Sequence, residues 1–260
     1  MKNKDVNYEY ELLSQLAEDG DLFAMRKVLN LAFKNSMQDL NHSEKMKAFK
    51  YLKILAENKD NEALLILGWF YYGGEPEFVE SDYKKAEYYY NEAINTKPID
   101  FNDNKNTADA LNSLGYCYYY GRNNKPDYKK AFQCYGKAAC LNHSNAMYKI
   151  GDMYKEGLYV KKSIKAAFYW YKKSYRYCSQ NDHYITASIS QRLGRAYLYG
   201  EGTKINLFAA LKYLQIAEKG FYYLAIKKPR FSNSIFVNKS TIKTVQKLLR
   251  EVREKLNNLI

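Results

Sequence analysis

Tyrosine is the residue type in this chain with the most capacity for binding chemistry, because it accounts for 28 of 260 residues. Its ring packs against apolar groups or cations, while its hydroxyl stays in water or forms a hydrogen bond. The densest cluster is LGYCYYYG at residues 114–121. This segment could line a tyrosine-rich ligand pocket, or it could be a packing unit of a larger repeated structure.

Histidine and cysteine do not occur at the spacing of a metal site. His42, His143 and His183 are dispersed, and no set of histidines and cysteines has the spacing of a complete metal site. The cysteines contain no CxxC pair, so we interpret them as reduced thiols packed in helices. They are Cys117, Cys134, Cys140 and Cys178. We therefore expect no metal ion and no other cofactor.

No catalytic motif is present in the sequence. The chain contains no G-x-S-x-G nucleophile elbow, no P-loop and no dinucleotide fingerprint. Its glycines follow apolar segments in the manner of helix ends and do not form a phosphate-binding loop. The sequence therefore indicates a protein that is not an enzyme.

The glycines and tyrosines instead recur in a fixed frame, [LI]-G-x-x-Y-x-x-G, which occurs four times. The LGYCYYYG segment is one copy of it. Internal repeats of this kind are the signature of helical-repeat proteins. We expect the frame residues to be structural, with the first glycine allowing a neighbouring helix to approach closely. They are Gly68, Tyr71, Gly74, Gly115, Tyr118, Gly121, Gly151, Tyr154, Gly157, Gly194, Tyr197 and Gly200.

A second frame follows each copy and predicts a second helix. It begins with a residue suited to capping a helix N-terminus, followed by two small residues seven positions apart, with a large residue between them. The predicted caps are Asp82, Asp127, Ser163 and Asn206. Each unit thus predicts a helix, a turn that starts at glycine, and a second capped helix. We interpret residues 97–107 and 177–186 as loop insertions between units.

The string A-x-x-x-L-G-x-x-Y-x-x-G, followed by a capped K-A-x-x-W-Y-x-K-A-A, resembles the Sel-one-like repeat (SLR), a relative of the tetratricopeptide repeat. Residues 146–157 and 165–174 carry the resemblance well. It implies an all-α fold, a right-handed α-solenoid of stacked antiparallel helix pairs. It also implies a non-enzymatic interaction scaffold or adaptor, acting in bacteria as a regulator, a toxin-neutralising (immunity) partner or an effector delivered into a host.

We predict one domain with about five repeats and a C-terminal capping helix. The predicted parts are a half-repeat and a degenerate repeat over residues 1–58, four repeats over 60–226, a basic linker over 227–240, and a helix over 241–260. That last helix has a heptad seam between residues 242 and 259. The seam either packs on the last repeat or mediates self-association.

In solenoids of this type the first helix of each pair lines the concave side. We predict partner-binding residues three before, one after and four after the first glycine. Aromatic residues and arginine there are typical of binding hot spots, although the same rings could pack on loops or neighbouring helices. We expect Trp69, Tyr116 and Tyr119 to anchor a partner, and Lys155 and Arg195 to recognise its acidic groups. The full set is Leu65, Trp69, Tyr72, Asn112, Tyr116, Tyr119, Tyr148, Asp152, Lys155, Gln191, Arg195 and Leu198.

The formal net charge of +13 favours an anionic partner. The lysines are spread along the chain, so an ordinary basic surface facing an acidic protein is our first interpretation, and nucleic-acid binding is the alternative. We find neither an export signal nor an apolar run of the ~18 residues that a membrane span needs. We therefore expect a cytoplasmic protein, with secretion by a route that needs no such signal as the alternative.

Overall fold

The computed structural model describes residues 12–34, 41–74, 79–96, 101–179, 182–227 and 239–258. These residues group into two compact units, one up to residue 110 and the other from residue 111 onwards. Twelve α-helices form within the described residues. They are α1 (12–18), α2 (Leu22–Lys34), α3 (His42–Glu57), α4 (Asn61–Gly73), α5 (Tyr83–Asn95), α6 (Phe101–Tyr120), α7 (Tyr128–Cys140), α8 (Ser144–Glu156), α9 (Ile164–Tyr177), α10 (His183–Tyr199), α11 (Leu207–Lys227) and α12 (Lys239–Asn257).

The turn inside each repeat has the same construction. In the third repeat, Gly157 ends α8 with a φ of +75°, a left-handed conformation that glycine adopts easily. The Ser163 hydroxyl then accepts a hydrogen bond from the Ala166 amide at 3.2 Å, and the Ser163 amide donates to the carbonyl of Tyr154 at 2.8 Å. The same amide-to-carbonyl contact joins Asp82 to Tyr71, Asp127 to Tyr118 and Asn206 to Tyr197. All four predicted caps are confirmed.

The first glycine of each frame lies against the second helix of its own pair. A Cβ atom added to Gly115 would lie 2.5 Å from Cε1 of Tyr135, and one added to Gly151 would lie 2.5 Å from Cε1 of Tyr171. Both rings are buried. Only glycine gives them this space, so the alternation of small and large residues in the two frames has a steric cause. The same pairing joins Gly68 to Tyr90 and Gly194 to Leu214.

Helix α12 caps the last repeat. The seam residues Val245, Leu249 and Val252 are buried in one apolar cluster with residues of α10 and α11. The capping interpretation is therefore confirmed, and the seam that self-association would use is occupied within the chain. Leu259, the last seam residue, lies outside the described residues.

The two predicted insertions differ from expectation, because parts of them extend helices. Residues 101–107 belong to α6, and residues 183–186 form the first turn of α10. Neither stretch contains a glycine or a proline, so nothing in them prevents helix formation. Asp182 caps α10 by accepting a hydrogen bond from the Ile185 amide at 2.9 Å. The rest of the first insertion and most of the predicted basic linker fall on residues 97–100 and 228–238, outside the described residues.

Candidate functional site

Four of the twelve predicted partner-binding residues are buried. The prediction that they lie outside the core is therefore wrong for Leu65, Asn112, Tyr148 and Leu198. Positions three before and four after the first glycine are roughly 60° and 40° from it around the helix, by the geometry of 100° per residue. They flank the glycine at which another helix approaches closely, and this packing explains their burial.

The other eight residues have at least partly accessible side chains. Trp69 is 47% exposed. Arg195 is exposed, and its guanidinium donates to Glu201 at 3.0 Å. The remaining six are half-buried: Tyr72, Tyr116, Tyr119, Asp152, Lys155 and Gln191. Partner binding by these eight stays a prediction.

A dense polar arrangement among the described residues of the second unit surrounds Lys149 of α8, a residue that is only 6% exposed. Its Nζ atom lies 4.6 to 5.4 Å from the centres of four tyrosine rings, within the range where an ammonium is attracted to an aromatic face. Nζ donates a hydrogen bond to the Tyr120 hydroxyl at 3.2 Å. We call the four rings the tyrosine cage; they belong to Tyr116, Tyr119, Tyr120 and Tyr148.

Helix geometry brings three cage residues together, since positions 116, 119 and 120 share one face of α6. The Tyr116 hydroxyl donates to Oδ1 of Asn145 at 3.1 Å and lies 3.3 Å from the Tyr148 hydroxyl. Burial raises the pKa of Tyr116 and of Tyr148 well above the ordinary value. These two phenols therefore stay neutral, and they fix the floor of the cage by hydrogen bonds.

A half-buried ion pair lies beside the cage. Asp152 of α8 receives two hydrogen bonds from Arg192 of α10, from Nε to Oδ1 at 2.6 Å and from Nη2 to Oδ2 at 2.7 Å. The Tyr171 hydroxyl donates to Oδ1 at 2.8 Å. Burial alone would raise the pKa of Asp152, but the guanidinium and these hydrogen bonds outweigh it and hold that pKa below the ordinary value. The carboxylate is thus ionised at neutral pH.

Burial lowers the pKa of Lys149 from 10.5 to about 8. The negative charge of Asp152 acts in the opposite direction, while the positive charge of Arg192 lowers the pKa further. Because Arg192 already neutralises Asp152, the charged form of Lys149 leaves one positive charge in excess in this cluster.

Sequence reasoning missed Lys149, Arg192, Tyr120 and Tyr171. Lys149 and Arg192 share a repeat position, two before the first glycine, which is roughly 160° around the helix from that glycine. On an isolated repeat this position faces solvent, so a charged residue there is unremarkable. Contact with the preceding repeat covers it. The sequence nevertheless contained a signal. The repeat before Lys149 has an aromatic residue one position after its first glycine, and the repeat before Arg192 has a carboxylate at the same position.

The arrangement offers recognition chemistry: an ammonium, phenolic hydroxyls and aromatic faces. Across the ranges that the structure describes, no group of three or more histidine, cysteine, aspartate or glutamate residues is placed to hold a metal ion. In the same ranges, no helix combines the length and the apolar character that crossing a membrane requires.

Comparisons with known proteins identify the repeat. The family model for the Sel1 repeat matches residues 61–95, 108–143, 144–176 and 191–224, which together make up more than half of the chain. The match confirms the predicted resemblance. Sel1 repeats are generally protein-interaction modules and typically non-enzymatic scaffolds. No curated protein matches the sequence.

Two solved structures share the fold. A protective antigen of uropathogenic Escherichia coli that displays an SLR fold has a TM-score of 0.64 and 21% identity, and the match covers 95% of this chain and 48% of that one. This chain thus spans about half the length of that protein. A Sel1 repeat protein from Oxalobacter formigenes has a TM-score of 0.60 and 21% identity, with coverage of 93% and 99%. The predicted all-α solenoid fold class is confirmed. With four matched repeats, the chain belongs to the Sel1 repeat family.

Proposed function

We propose that this chain is a non-enzymatic scaffold that binds a protein partner through the first helices of its Sel1 repeats. The observation that carries the proposal is the exposure of Trp69, which lies on α4 one position after the first glycine of its repeat and is 47% exposed. Tryptophan is a frequent hot spot, because a partner that covers its large ring removes much apolar surface from water.

In the second unit the anchors are the tyrosines at the end of α6. Tyr119 is half-buried and Tyr120 is 47% exposed, so both present part of a ring to solvent. Tyr116 is less suited to this role than its position in the sequence suggested, since its hydroxyl is engaged by Asn145 and Tyr148. We therefore assign partner contact to Tyr119 and Tyr120, and a supporting role to Tyr116.

An acidic partner surface fits the charges of this face. Arg195 pairs with Glu201 at 3.0 Å, and Lys155 lies 4.0 Å from Glu156. Ion pairs at a surface contribute only about 0 to 1 kcal/mol, so both cations can exchange their present partners for carboxylates of another protein. The net charge of +13 favours the encounter.

The test is capture of partner proteins from the native cell by the tagged chain, with the captured proteins identified by mass spectrometry. We expect Trp69→Ala to lose a protein that the wild type captures. The matched control is Tyr88→Ala, which removes an aromatic ring of similar exposure from the second helix of the same repeat. If all three chains capture the same proteins with unchanged helical circular dichroism, Trp69 does not contact a partner.

Nucleic-acid binding is the second candidate, and one observation favours it. Helix α12 buries its apolar face against the last repeat and exposes a row of cations at spacings of four, four and three residues: Lys239, Lys243, Lys247 and Arg250. Such a row suits contact with phosphates, and the affinity would fall steeply with salt concentration. Titration of a random single-stranded oligonucleotide at rising salt concentrations tests this function, and a flat titration at low salt removes it.

A further inference from the structure

We propose that Lys149 and the tyrosine cage form a recognition site for a carboxylate, supplied by an aspartate or glutamate side chain of the partner protein. The inference rests on the proposed function and names the chemical group that this part of the binding face recognises. Four observations support it, concerning charge balance, hydrogen-bond donors, access and the sign of the neighbouring charges.

The first observation is the unbalanced charge. Lys149 has three N–H donors, but it donates one hydrogen bond, to Tyr120, and makes no ion pair with any described residue. Asp152 does not supply a full counter-charge, because it forms no ion pair with Lys149 and its own charge is offset by the Arg192 guanidinium. A buried ammonium is stable only when its charge is compensated. Either Lys149 loses its proton or an anion from outside the chain approaches it.

The second observation is a set of available donors. Tyr120 accepts the hydrogen bond from Lys149, so its own hydroxyl hydrogen remains free to be donated. The Tyr119 hydroxyl forms no hydrogen bond with a described residue, and its ring centre lies 5.1 Å from Nζ of Lys149. Burial raises the pKa of Tyr119 to about 12 and also raises that of Tyr120, so both phenols remain protonated at neutral pH. A carboxylate can accept from the ammonium and from these hydroxyls.

The third observation is access. Tyr116 and Tyr148 form the hydrogen-bonded floor of the cage, whereas Tyr120, which accepts a hydrogen bond from Nζ of Lys149, is 47% exposed. A carboxylate would approach Nζ along Tyr120, because this exposed side chain is bonded directly to the ammonium.

The fourth observation decides between an anion and a cation as the ligand. Aromatic cages also bind cations, but this cage already contains one. A second cation would be repelled by Lys149 and by Arg122, whose guanidinium lies 5.4 Å from the centre of the Tyr120 ring, whereas the charge of Arg192 is offset by Asp152. The charges of Lys149 and Arg122 attract a carboxylate.

Carboxylate binding at this site depends on pH in a defined direction. The charged or titratable groups facing Lys149 are the four cage tyrosines, Asp152 and Arg192. Between pH 7 and pH 9 the tyrosines stay neutral and the other two stay charged, so Lys149 alone changes charge. A carboxylate prefers the ammonium form. Its affinity therefore falls as pH rises through the pKa of Lys149, and its binding raises that pKa.

The experiment measures the pKa of Lys149 by NMR of isotopically labelled lysine side chains in the full chain, with Lys149→Met to assign the signal. The probe is acetate, with chloride at equal ionic strength as the reference. We expect a rise of about one pKa unit when acetate is present at roughly ten times its dissociation constant. Tyr120→Phe should weaken acetate binding about five-fold, as expected for one lost hydrogen bond, whereas Tyr159→Phe, at an exposed tyrosine after α8, should leave it unchanged.

Two results would overturn the inference. If acetate and chloride give the same pKa, Lys149 has a purely structural role. If tetramethylammonium shifts the signal and acetate does not, the cage binds cations. Both results are independent of the proposed function, which fails when the wild-type chain captures no protein. Unchanged capture by Trp69→Ala shows only that Trp69 does not contact a partner. Loss of capture in Trp69→Ala without an acetate effect keeps the scaffold and removes the carboxylate site.

Discussion

Two successive repeat junctions of the second unit use the same positions with different chemistry. At each junction, the residue one after the first glycine contacts the residue two before the first glycine of the next repeat. Between the second and third repeats these residues are Tyr116 and Lys149, with Nζ 4.6 Å from the ring centre. Between the third and fourth they are Asp152 and Arg192, which form a bidentate ion pair.

The helix pairs at the two junctions are alike, so the difference lies in the side chains. Gly115 and Gly151 each accommodate a buried tyrosine ring from the second helix of their own pair. Tyr135 packs edge-on against Tyr116, whereas Tyr171 donates a hydrogen bond to Asp152. The repeat geometry thus determines which positions meet. The residue types decide the charge balance of the junction. Asp152 and Arg192 neutralise each other, and we call theirs the closed junction. Lys149 has no full counter-charge among the described residues, and we call its junction the open junction.

Removing the carboxylate of the closed junction should have the largest effect. Asp152→Asn keeps the shape of the side chain but leaves the Arg192 guanidinium without a counter-charge, which we expect to cost about 3 kcal/mol of unfolding free energy. Urea denaturation at pH 7 measures this loss of unfolding free energy. Glu156→Gln on the same helix is the control, since that residue is exposed and its pair with Lys155 is at 4.0 Å. An equal loss in both variants would contradict the assignment.

The stability difference between wild type and Asp152→Asn also depends on pH. The folded-state pKa of Asp152 is lower than the unfolded value of 3.8, so the folded chain keeps the carboxylate ionised to a lower pH. The stability that the Asp152 carboxylate contributes is fully present above the unfolded-state pKa. It is lost as the pH falls through the folded-state pKa. The two unfolding curves should therefore converge in acid.

A methyl group at the glycine of either junction should have the next largest effect. Gly151→Ala forces the Tyr171 ring away from the helix, and overpacking of this kind costs about 2 kcal/mol. Gly115→Ala should cost a similar amount through Tyr135, because the helix packing is common to both junctions. The control is Gly136→Ala on α7, where an added Cβ meets nothing within 4 Å and helix propensity favours alanine. Markedly different costs at Gly115 and Gly151 would show that the packing is not equivalent.

Removing the positive charge of Lys149 at the open junction should change the free energy of unfolding least of the three, and it should increase this free energy. Lys149→Met fills the cage with an apolar chain and should stabilise the fold by about 1 kcal/mol at pH 7, since the tyrosine rings offset part of the cost of burying the ammonium. Thermal unfolding measures the change, with Lys155→Met on the same helix as the control.

The gain from Lys149→Met should shrink as pH rises. The folded-state pKa of Lys149, about 8, lies below the unfolded value of 10.5, so the folded wild type releases its proton first. Between these values the unfolded chain binds more protons, and the wild type gains stability relative to the variant. If Lys149→Met is less stable than the wild type at pH 7, or if its gain in stability does not change with pH, then burial of the Lys149 ammonium does not destabilise the fold.

The sequence predicted most of the local architecture and only part of the site. Helix α8 was predictable, because Gly157 marks its end and Ser163 marks the start of the next helix, and both signals act within a few residues. Tyr119 and Asp152, two of the predicted partner-binding residues, are half-buried. Tyr148 was not predictable as buried, since its position faces outward on an isolated helix and is covered only when neighbouring helices pack against it.

The repeat, its turns and its pairing of glycine with a large residue follow from the sequence alone, because these requirements are steric and are met within one unit of about 40 residues. The placement of Lys149 in a cage of tyrosines and the neutralisation of Asp152 by Arg192 arise only in the folded chain. Those contacts join helices of successive repeats, so the balance of charge at each junction depends on how one repeat stacks on the next. That stacking leaves the ammonium of Lys149 without a full counter-charge.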